Sequence, residues 1–378
     1  MDNKNTSEYF DCSIDCQQPD NKLKIESNVQ EARRAVSRNG INLAAFLLSA
    51  NVVALAIELV LLLAFIIFKA FNGVTEATEI KQSLNDLLTS QRFLGIFSGL
   101  LNIVSMYLVA FPIFCLMGID MKRRKYETGG LSAARFLMLI PIAMLLMYVG
   151  SYLGEALNAI VSSIIDSNIS NATIESIERM PLWLMIPMTM VFAPIVEEFM
   201  FRRTLIGTLG RYGNIFAIII SSVVFGLFHG NMYQFFYCFL LGILLGYVYV
   251  KSGNWWLSVL MHSILNFIGG VLPKITEKLS ARYTELTTLA EAGEAVNKIE
   301  MFFANAAIKG YNLFLLILFI AGIALTVMAI AKKWYKVENN AEIEIPREYV
   351  PKVVFGNVGA TVFIIFTVIT FAISIFTT

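Results

Sequence analysis

Long apolar segments follow one another from Ile41 to the carboxyl end, and they constrain the fold of this chain more than any other feature. A helix rises about 1.5 Å per residue, so about 20 apolar residues cross the hydrocarbon core of a bilayer. Four long runs and five shorter ones reach or approach that length, and together they predict an all-α, polytopic bundle of about eight to nine transmembrane helices. The runs are 41–71, 93–118, 136–165, 181–201, 215–228, 235–250, 255–272, 312–330 and 353–376.

The composition supports the same fold class. Of the 378 residues, 57% are hydrophobic and 15% charged, whereas a soluble domain has about 25% charged residues and about 45 to 50% apolar ones. The net charge of +1 indicates no particular partner. The short basic run 122–125 is typical of a cytoplasmic loop, so no nucleic-acid partner is expected and the lipid bilayer is the predicted environment.

The amino-terminal segment is polar and contains no apolar core of a secretory signal, so insertion is predicted to begin with the first spanning helix. Cys12 and Cys16 form a C-x-x-x-C pair without the second pair that a structural zinc site would need. Cys115 and Cys238 lie in apolar runs and are interpreted as packing residues. Four scattered cysteines predict no disulfide framework.

Basic residues occur at alternate connections, and this distribution predicts the orientation, because basic loops resist translocation. The connections that carry them are Arg33 to Arg38, Lys122 to Lys125, Arg203 to Arg211, Lys251, and Lys332 to Lys336. The amino terminus is therefore predicted to be cytoplasmic and the carboxyl terminus to lie outside. The absence of eukaryotic sorting signals favours a multi-pass protein of a bacterial plasma membrane.

Three short polar motifs interrupt the apolar runs, and intramembrane ionisable residues mark function by default. Residues 197–202 read E-E-x-x-x-R, residues 225–229 read F-x-x-x-H, and residues 262–266 read H-x-x-x-N. Residues four apart share one helix face, so Glu198 and Arg202 can pair, and His262 and Asn266 can point into one cavity. The chain has two histidines, and both lie in these motifs.

This set of side chains is chemically complete for peptide hydrolysis without a serine or cysteine nucleophile. The reaction needs a group that activates water, a group that protonates the leaving amine, and donors for the oxyanion. Glutamate and histidine suit the first two tasks, and histidine and asparagine supply donors. An adjacent arginine keeps the second glutamate ionised.

The three motifs, in this order and with spacings of 31 and 33 residues between Glu198, His229 and His262, resemble those of the CPBP family. This family comprises the CAAX-processing and bacteriocin-processing intramembrane endopeptidases. The resemblance covers residues 181–272. It implies that Glu197 activates water with His229, and that His262 and Asn266 stabilise the oxyanion. Glu198 and Arg202 would be supporting residues.

One departure from the family pattern is Arg203, which stands where many members have glycine after the motif arginine. This difference leaves the implied catalytic set unchanged. It affects only what is expected of the local geometry at the end of the fourth helix.

The resemblance leaves open whether a metal takes part, because Glu197, His229 and His262 are also a possible ligand set for catalytic zinc. A metal-free glutamate mechanism is the favoured hypothesis, since His262 with Asn266 makes a better donor pair than a divided ligand set. The substrate would be a membrane-associated or lipid-anchored peptide, either a prenylated carboxyl-terminal tail or a bacteriocin or pheromone leader. A non-catalytic immunity or scaffold protein is a competing function, and a transporter is another.

The apolar runs and the three motifs divide the chain into five predicted segments. The distance between the motifs also predicts how far the fourth helix extends. A cytoplasmic polar arm (1–40), N-terminal transmembrane helices (41–180), a catalytic core (181–272), an extramembrane polar segment (273–310) and C-terminal transmembrane helices (311–378) are expected. If the fourth helix ended at Arg202, His229 would lie about 24 Å deeper than that end. The fourth helix is therefore predicted to continue to about Arg211, with a bend at Pro194 that frees a carbonyl beside the site.

Overall fold

In a computed structural model of the chain, the described residues are 19–74, 76–166, 169 and 172–376, and they form helices without any strand. Three helices are composite, because α3, α6 and α9 contain π-helical segments within a continuous helix. A 3₁₀ turn, Arg347–Tyr349, precedes α11, and another, Gly210–Tyr212, ends α6. The helices are α1 Pro19–Phe71, α2 Ala77–Thr89, α3 Gln91–Met117, α4 Ala133–Ile165, α5 Ala172–Arg179, α6 Leu182–Tyr212, α7 Asn214–Phe228, α8 Met232–Ser252, α9 Trp255–Glu291, α10 Lys298–Ala331, α11 Val350–Phe355 and α12 Val358–Phe376.

The predicted all-α polytopic fold is confirmed. Within the described residues, eight helices are long and apolar enough to cross a membrane: α1, α3, α4, α6, α8, α9, α10 and α12. The shorter apolar helix α7 corresponds to the predicted run 215–228. The chain is a multi-pass membrane protein, whereas the direction in which it crosses the bilayer stays a prediction.

Two helices extend beyond the apolar runs that predicted them. Helix α1 begins at Pro19, so residues 19–40 of the predicted arm are helical, and Val29, Ala32 and Val36 of that segment are buried. Helix α9 continues to Glu291, and Arg282 binds Glu300 of α10 at 2.7 Å. Polar helical residues can extend a transmembrane helix into water, which hydropathy alone does not reveal. Cys12 and Cys16 lie outside the described residues.

Helix α6 continues to Tyr212, as the separation of the motifs predicted. It changes from α-helix to π-helix at Met188–Phe192, returns to α-helix at Ala193–Glu198, and is π-helical again at Phe199–Ile206. Its carboxyl-terminal half is among the most buried parts of the molecule, with Phe201, Ile206 and Leu209 fully buried. The motif E-E-x-x-x-R therefore lies in the buried centre of the bundle.

Glycines allow the helices around α6 to approach closely. A Cβ atom on Gly242 of α8 would lie 2.9 Å from the Cα atom of Ser222 in α7. A Cβ atom on Gly359 of α12 would lie 1.8 Å from the carbonyl oxygen of Ser37 in α1. Small residues at helix crossings bring backbones together in this way. These contacts hold α8 against α7 and α12 against α1.

Candidate active site

The two glutamates of the first motif differ in exposure. Glu197 and Glu198 end the short α-helical segment between the two π-helical segments of α6. Successive helical residues point about 100° apart, and the side chain of Glu198 is 0% exposed while that of Glu197 is 17% exposed. Segments of π-helix occur frequently at functional sites. Glu197 is thus the carboxylate that a small molecule can reach.

Glu198 pairs with Arg202 inside the bundle, as the spacing predicted. Arg202 Nε lies 3.0 Å from Glu198 Oε2, and both side chains are 0% exposed. The contact is an ion pair without hydrogen-bond geometry. The Arg202 guanidinium also lies 4.5 Å from the ring centroid of Phe225, a cation–π arrangement. A buried arginine needs such partners, because an isolated charge in the interior is very costly.

His262 of α9 contacts both glutamates. Its Nδ1 lies 2.9 Å from Glu198 Oε1, and its Nε2 lies 3.8 Å from Glu197 Oε2. A carboxylate only accepts hydrogen bonds, so Nδ1 carries the proton that Glu198 accepts. Glu197 Oε2 is buried and accepts no hydrogen bond from the described residues. The imidazole therefore joins the two carboxylates, and Glu197 keeps a free acceptor oxygen.

His229 lies at the carboxyl end of α7 and is held by the first residue of its own motif. Its Nδ1 is 2.8 Å from the carbonyl oxygen of Phe225, so Nδ1 carries the proton and Nε2 is the basic nitrogen. The Phe225 ring contacts both histidines edge to face, at 4.9 Å from His229 and 6.0 Å from His262. Among the described residues, no contact within ion-pair distance joins His229 to Glu197. His229 and Glu197 are linked indirectly, because Phe225 contacts both imidazoles and His262 contacts Glu197.

Asn266 contacts α6 through its amide. Its Nδ2 donates to the carbonyl of Thr189 at 2.7 Å, and Ser263, one turn earlier, donates to the carbonyl of Met190 at 2.6 Å. Pro194 has no N–H group, so these carbonyls, four and five residues before it, lose the partner that this position would give them in an α- or π-helix. The carbonyl freed by Pro194 was predicted, and α9 supplies the donors. One amide hydrogen of Asn266 remains for other partners.

A catalytic zinc ion would need three side-chain ligands close together. Within the described residues, no group of three histidine, cysteine, aspartate or glutamate side chains is placed to hold a metal ion. The candidate ligands Glu197 and His262 approach each other at 3.8 Å, whereas among the described residues no ion-pair or hydrogen-bond contact joins His229 to either of them. The residues present therefore do not form a three-ligand site in this conformation.

Known proteins match this chain over the segment that carries the three motifs. Residues 179–268, about a quarter of the chain, match the family described as type II CAAX prenyl endopeptidase Rce1-like. These residues contain the whole set Glu197, Glu198, Arg202, His229, His262 and Asn266. The match supports membership of the CPBP family.

A curated relative gives the same result. The protein named "Putative membrane peptidase YdiL" of Bacillus subtilis (strain 168) is 29% identical over 102 residues, which are 27% of this chain and 41% of that protein. The chain thus matches less than half the length of this relative. No solved structure matches the chain.

Three features of the site were not predicted from the sequence. The contact between His262 and Glu198, the position of the Phe225 ring against Arg202 and the His262 imidazole, and the bond from Ser263 to α6 all join residues of separate helices. The motif F-x-x-x-H identified Phe225 and His229 as a pair. Nothing in the sequence signalled which atoms they would contact, because those contacts depend on helix packing.

Proposed function

We propose that this protein is an intramembrane endopeptidase that hydrolyses a peptide bond with water activated by Glu197. The observation that carries the proposal is the contact of one imidazole, His262, with both glutamates of the motif, at 2.9 and 3.8 Å. Paired carboxylates with a histidine between them, one fully buried and one reachable, are the parts that general acid–base catalysis needs. The match of residues 179–268 to a CAAX endopeptidase family supports it.

In the proposed reaction, Glu197 removes a proton from water, and His229 Nε2 orients the same water. The water oxygen attacks the peptide carbonyl carbon, and the carbonyl oxygen becomes the oxyanion. Asn266, through its second amide hydrogen, and His262 Nε2, when protonated, donate to that oxyanion. The C–N bond then breaks, and Glu197 returns the proton to the leaving amine. Atoms and charges balance without a covalent enzyme intermediate.

Glu198 and Arg202 would position His262 rather than touch the substrate. Glu198 is fully buried and binds His262 Nδ1, so it fixes the ring and the tautomer of that histidine. Arg202 pairs with Glu198 at 3.0 Å and so holds that carboxylate in place. This relay explains why the motif contains two adjacent glutamates: one faces the reacting water, and the other holds the histidine.

The proposed substrate is a membrane-associated or lipid-anchored peptide. An apolar multi-pass bundle and a site on transmembrane helices favour a peptide delivered from the bilayer. Rce1-like endopeptidases act on CAAX prenyl substrates according to their family description, and the similar Bacillus subtilis protein is named a membrane peptidase. A prenylated tail and a leader peptide both fit this chemistry.

We further propose that no metal takes part, since the described donors do not form a three-ligand group. Stoichiometric zinc in the purified protein, together with loss of cleavage on its removal and recovery on its return, would replace this mechanism by the zinc-dependent one.

Cleavage of a lipidated peptide by the purified protein in nanodiscs tests the function. Glu197→Gln and His229→Ala are expected to lower kcat by about 10² to 10⁴ while the protein stays folded. Glu155→Gln is the matched control, because Glu155 is an exposed acid in α4 outside the motifs. Retention of full activity by Glu197→Gln would overturn the assignment. Absence of cleavage by the unaltered protein, with its cellular phenotype unchanged in Glu197→Gln, would favour the immunity or scaffold function.

A further inference from the structure

The carboxyl-terminal half of α1 crosses the membrane with little support from the bundle. Every buried residue of α1 lies between Val29 and Ala50, and none of residues 51–71 is buried. An apolar window of 18 residues in this helix has a mean hydropathy of 2.7, and 0% of it is buried, against 56% of the corresponding window of α8. The bundle therefore leaves this half of α1 largely to lipid.

Two polar side chains lie in this half of the helix. Asn51 and Glu58 are both exposed. From Arg38 to Lys69 the helix rises about 46 Å, and both side chains lie within about 7 Å of the midpoint of that span. Asn51 donates to the carbonyl of Leu47 at 2.8 Å, and Glu58 forms no hydrogen bond or ion pair with any described residue. Polar groups at this depth are costly in lipid and nearly always face protein.

Asn51 and Glu58 belong to one stripe of α1, which we call the seam. Its five residues are all exposed and follow one another by three, four, three and four positions: Leu48, Asn51, Leu55, Glu58 and Leu62. This is the spacing of a coiled coil, in which one stripe faces a neighbouring helix. Ala50, which packs against the bundle, lies about 120° around the helix from the seam. The seam therefore points away from the rest of the molecule.

The polar groups of the seam are able to pair with identical groups. An ionised carboxylate is very costly in hydrocarbon, and a neutral carboxyl group, like an amide, has both a donor and an acceptor. Two copies inserted in the same orientation cross the bilayer in parallel, so the same residue of each copy lies at the same depth. Around a two-fold axis, Asn51 then meets Asn51 and Glu58 meets Glu58. The seam is complementary to itself.

We propose that this protein forms a parallel homodimer through the seam of α1, in which Asn51 and Glu58 each bond to the same residue of the second copy. The leucines of the seam would interdigitate between these bonds. A basic side chain of another membrane protein would satisfy Glu58 alone, whereas a second copy satisfies both polar groups at once. This inference does not depend on the proposed hydrolysis.

Energy transfer between labelled copies tests the association. Full-length protein with donor or acceptor fluorophores is reconstituted in phosphatidylcholine liposomes at a series of protein-to-lipid ratios. The unaltered protein is expected to associate, and Asn51→Leu and Glu58→Leu are each expected to weaken the association about tenfold, the effect of an interhelical hydrogen bond. Glu58→Gln should retain it, because glutamine also donates and accepts. Leucine at position 58 removes no buried contact, so the circular dichroism spectrum should stay unchanged.

Val60→Ala is the matched control, because Val60 is 65% exposed and lies on the opposite face of α1 from Glu58. It should not change the association. Cross-linking locates the interface: in a variant whose four cysteines are replaced by alanine, Leu55→Cys and Leu62→Cys are expected to form disulfides between copies, and Val60→Cys is not.

Three results would overturn the inference. The first is a monomeric unaltered protein at every protein-to-lipid ratio. The second is association of Glu58→Leu as tight as that of the unaltered protein, which would assign the contact to apolar packing alone. The third is loss of association in Glu58→Gln as well as in Glu58→Leu, which would show that the partner of Glu58 is a charged group. Peptide cleavage enters none of these measurements, so the proposed hydrolysis is judged separately.

Discussion

Removal of Arg202 alone should destabilise the bundle far more than removal of the whole ion pair. Two unit charges 3.0 Å apart attract by about 5.5 kcal/mol at an effective dielectric constant of about 20, before the cost of desolvation. Arg202→Met leaves Glu198 charged and buried, with only His262 as a partner. Breaking one partner of a buried pair typically costs about 3 to 5 kcal/mol. We expect a loss of that size in the free energy of unfolding.

The double variant Glu198→Gln/Arg202→Met provides the comparison. It contains no uncompensated charge, its glutamine oxygen can still accept from His262 Nδ1, and the methionine can pack against Phe225. Neutral replacement of a buried pair is often close to neutral for stability, so the double variant should recover most of the loss. Reversible unfolding in mixed dodecylmaltoside and dodecyl sulfate micelles, followed by circular dichroism, measures both values. A loss below about 1 kcal/mol for Arg202→Met, as for a solvent-exposed pair, would refute the reasoning.

Three further predictions follow from particular contacts. Asn266→Ala should cost about 1 to 3 kcal/mol of stability by leaving a buried carbonyl unpaired. The cost should be smaller in a Pro194→Ala background, where the restored N–H can pair with a freed carbonyl. Equal costs in both backgrounds would contradict this account. Gly359→Ala should destabilise by about 1 to 3 kcal/mol, since its Cβ would meet the Ser37 carbonyl, whereas Gly310→Ala, whose Cβ meets open space, should not lower the melting temperature. Peptide cleavage should persist after exhaustive treatment with 1,10-phenanthroline, and its complete loss, reversed by zinc, would contradict the metal-free mechanism.

Hydropathy was sufficient to predict the fold class, because the cost of exposing polar backbone in lipid makes each apolar run a helix. It was less informative about helix ends. Residues 19–40 and the outer part of α9 are polar and helical, and a polar sequence is compatible with a helix in water, with a loop, or with a surface that packs on the bundle. Burial of Val29 and Val36 is a tertiary contact that no local pattern specifies.

The motif spacing predicted two local features of the site. Residues four apart on one helix must be neighbours, so the ion pair of Glu198 with Arg202 followed from the sequence alone. The effect of Pro194 also followed, because proline cannot donate a backbone hydrogen bond. Each feature depends on a single stretch of helix.

Only the tertiary structure decided which helices complete the site. His262 is 64 residues from Glu198, and its ring lies between the two glutamates because α9 crosses α6 at that height. The position of the Phe225 ring against Arg202 and the His262 imidazole depends in the same way on how α7 packs. Sequence determined the residue types and their spacing along each helix, since these follow from helical geometry. Packing determined the distances between helices, because they are set jointly by many side chains distant in the chain.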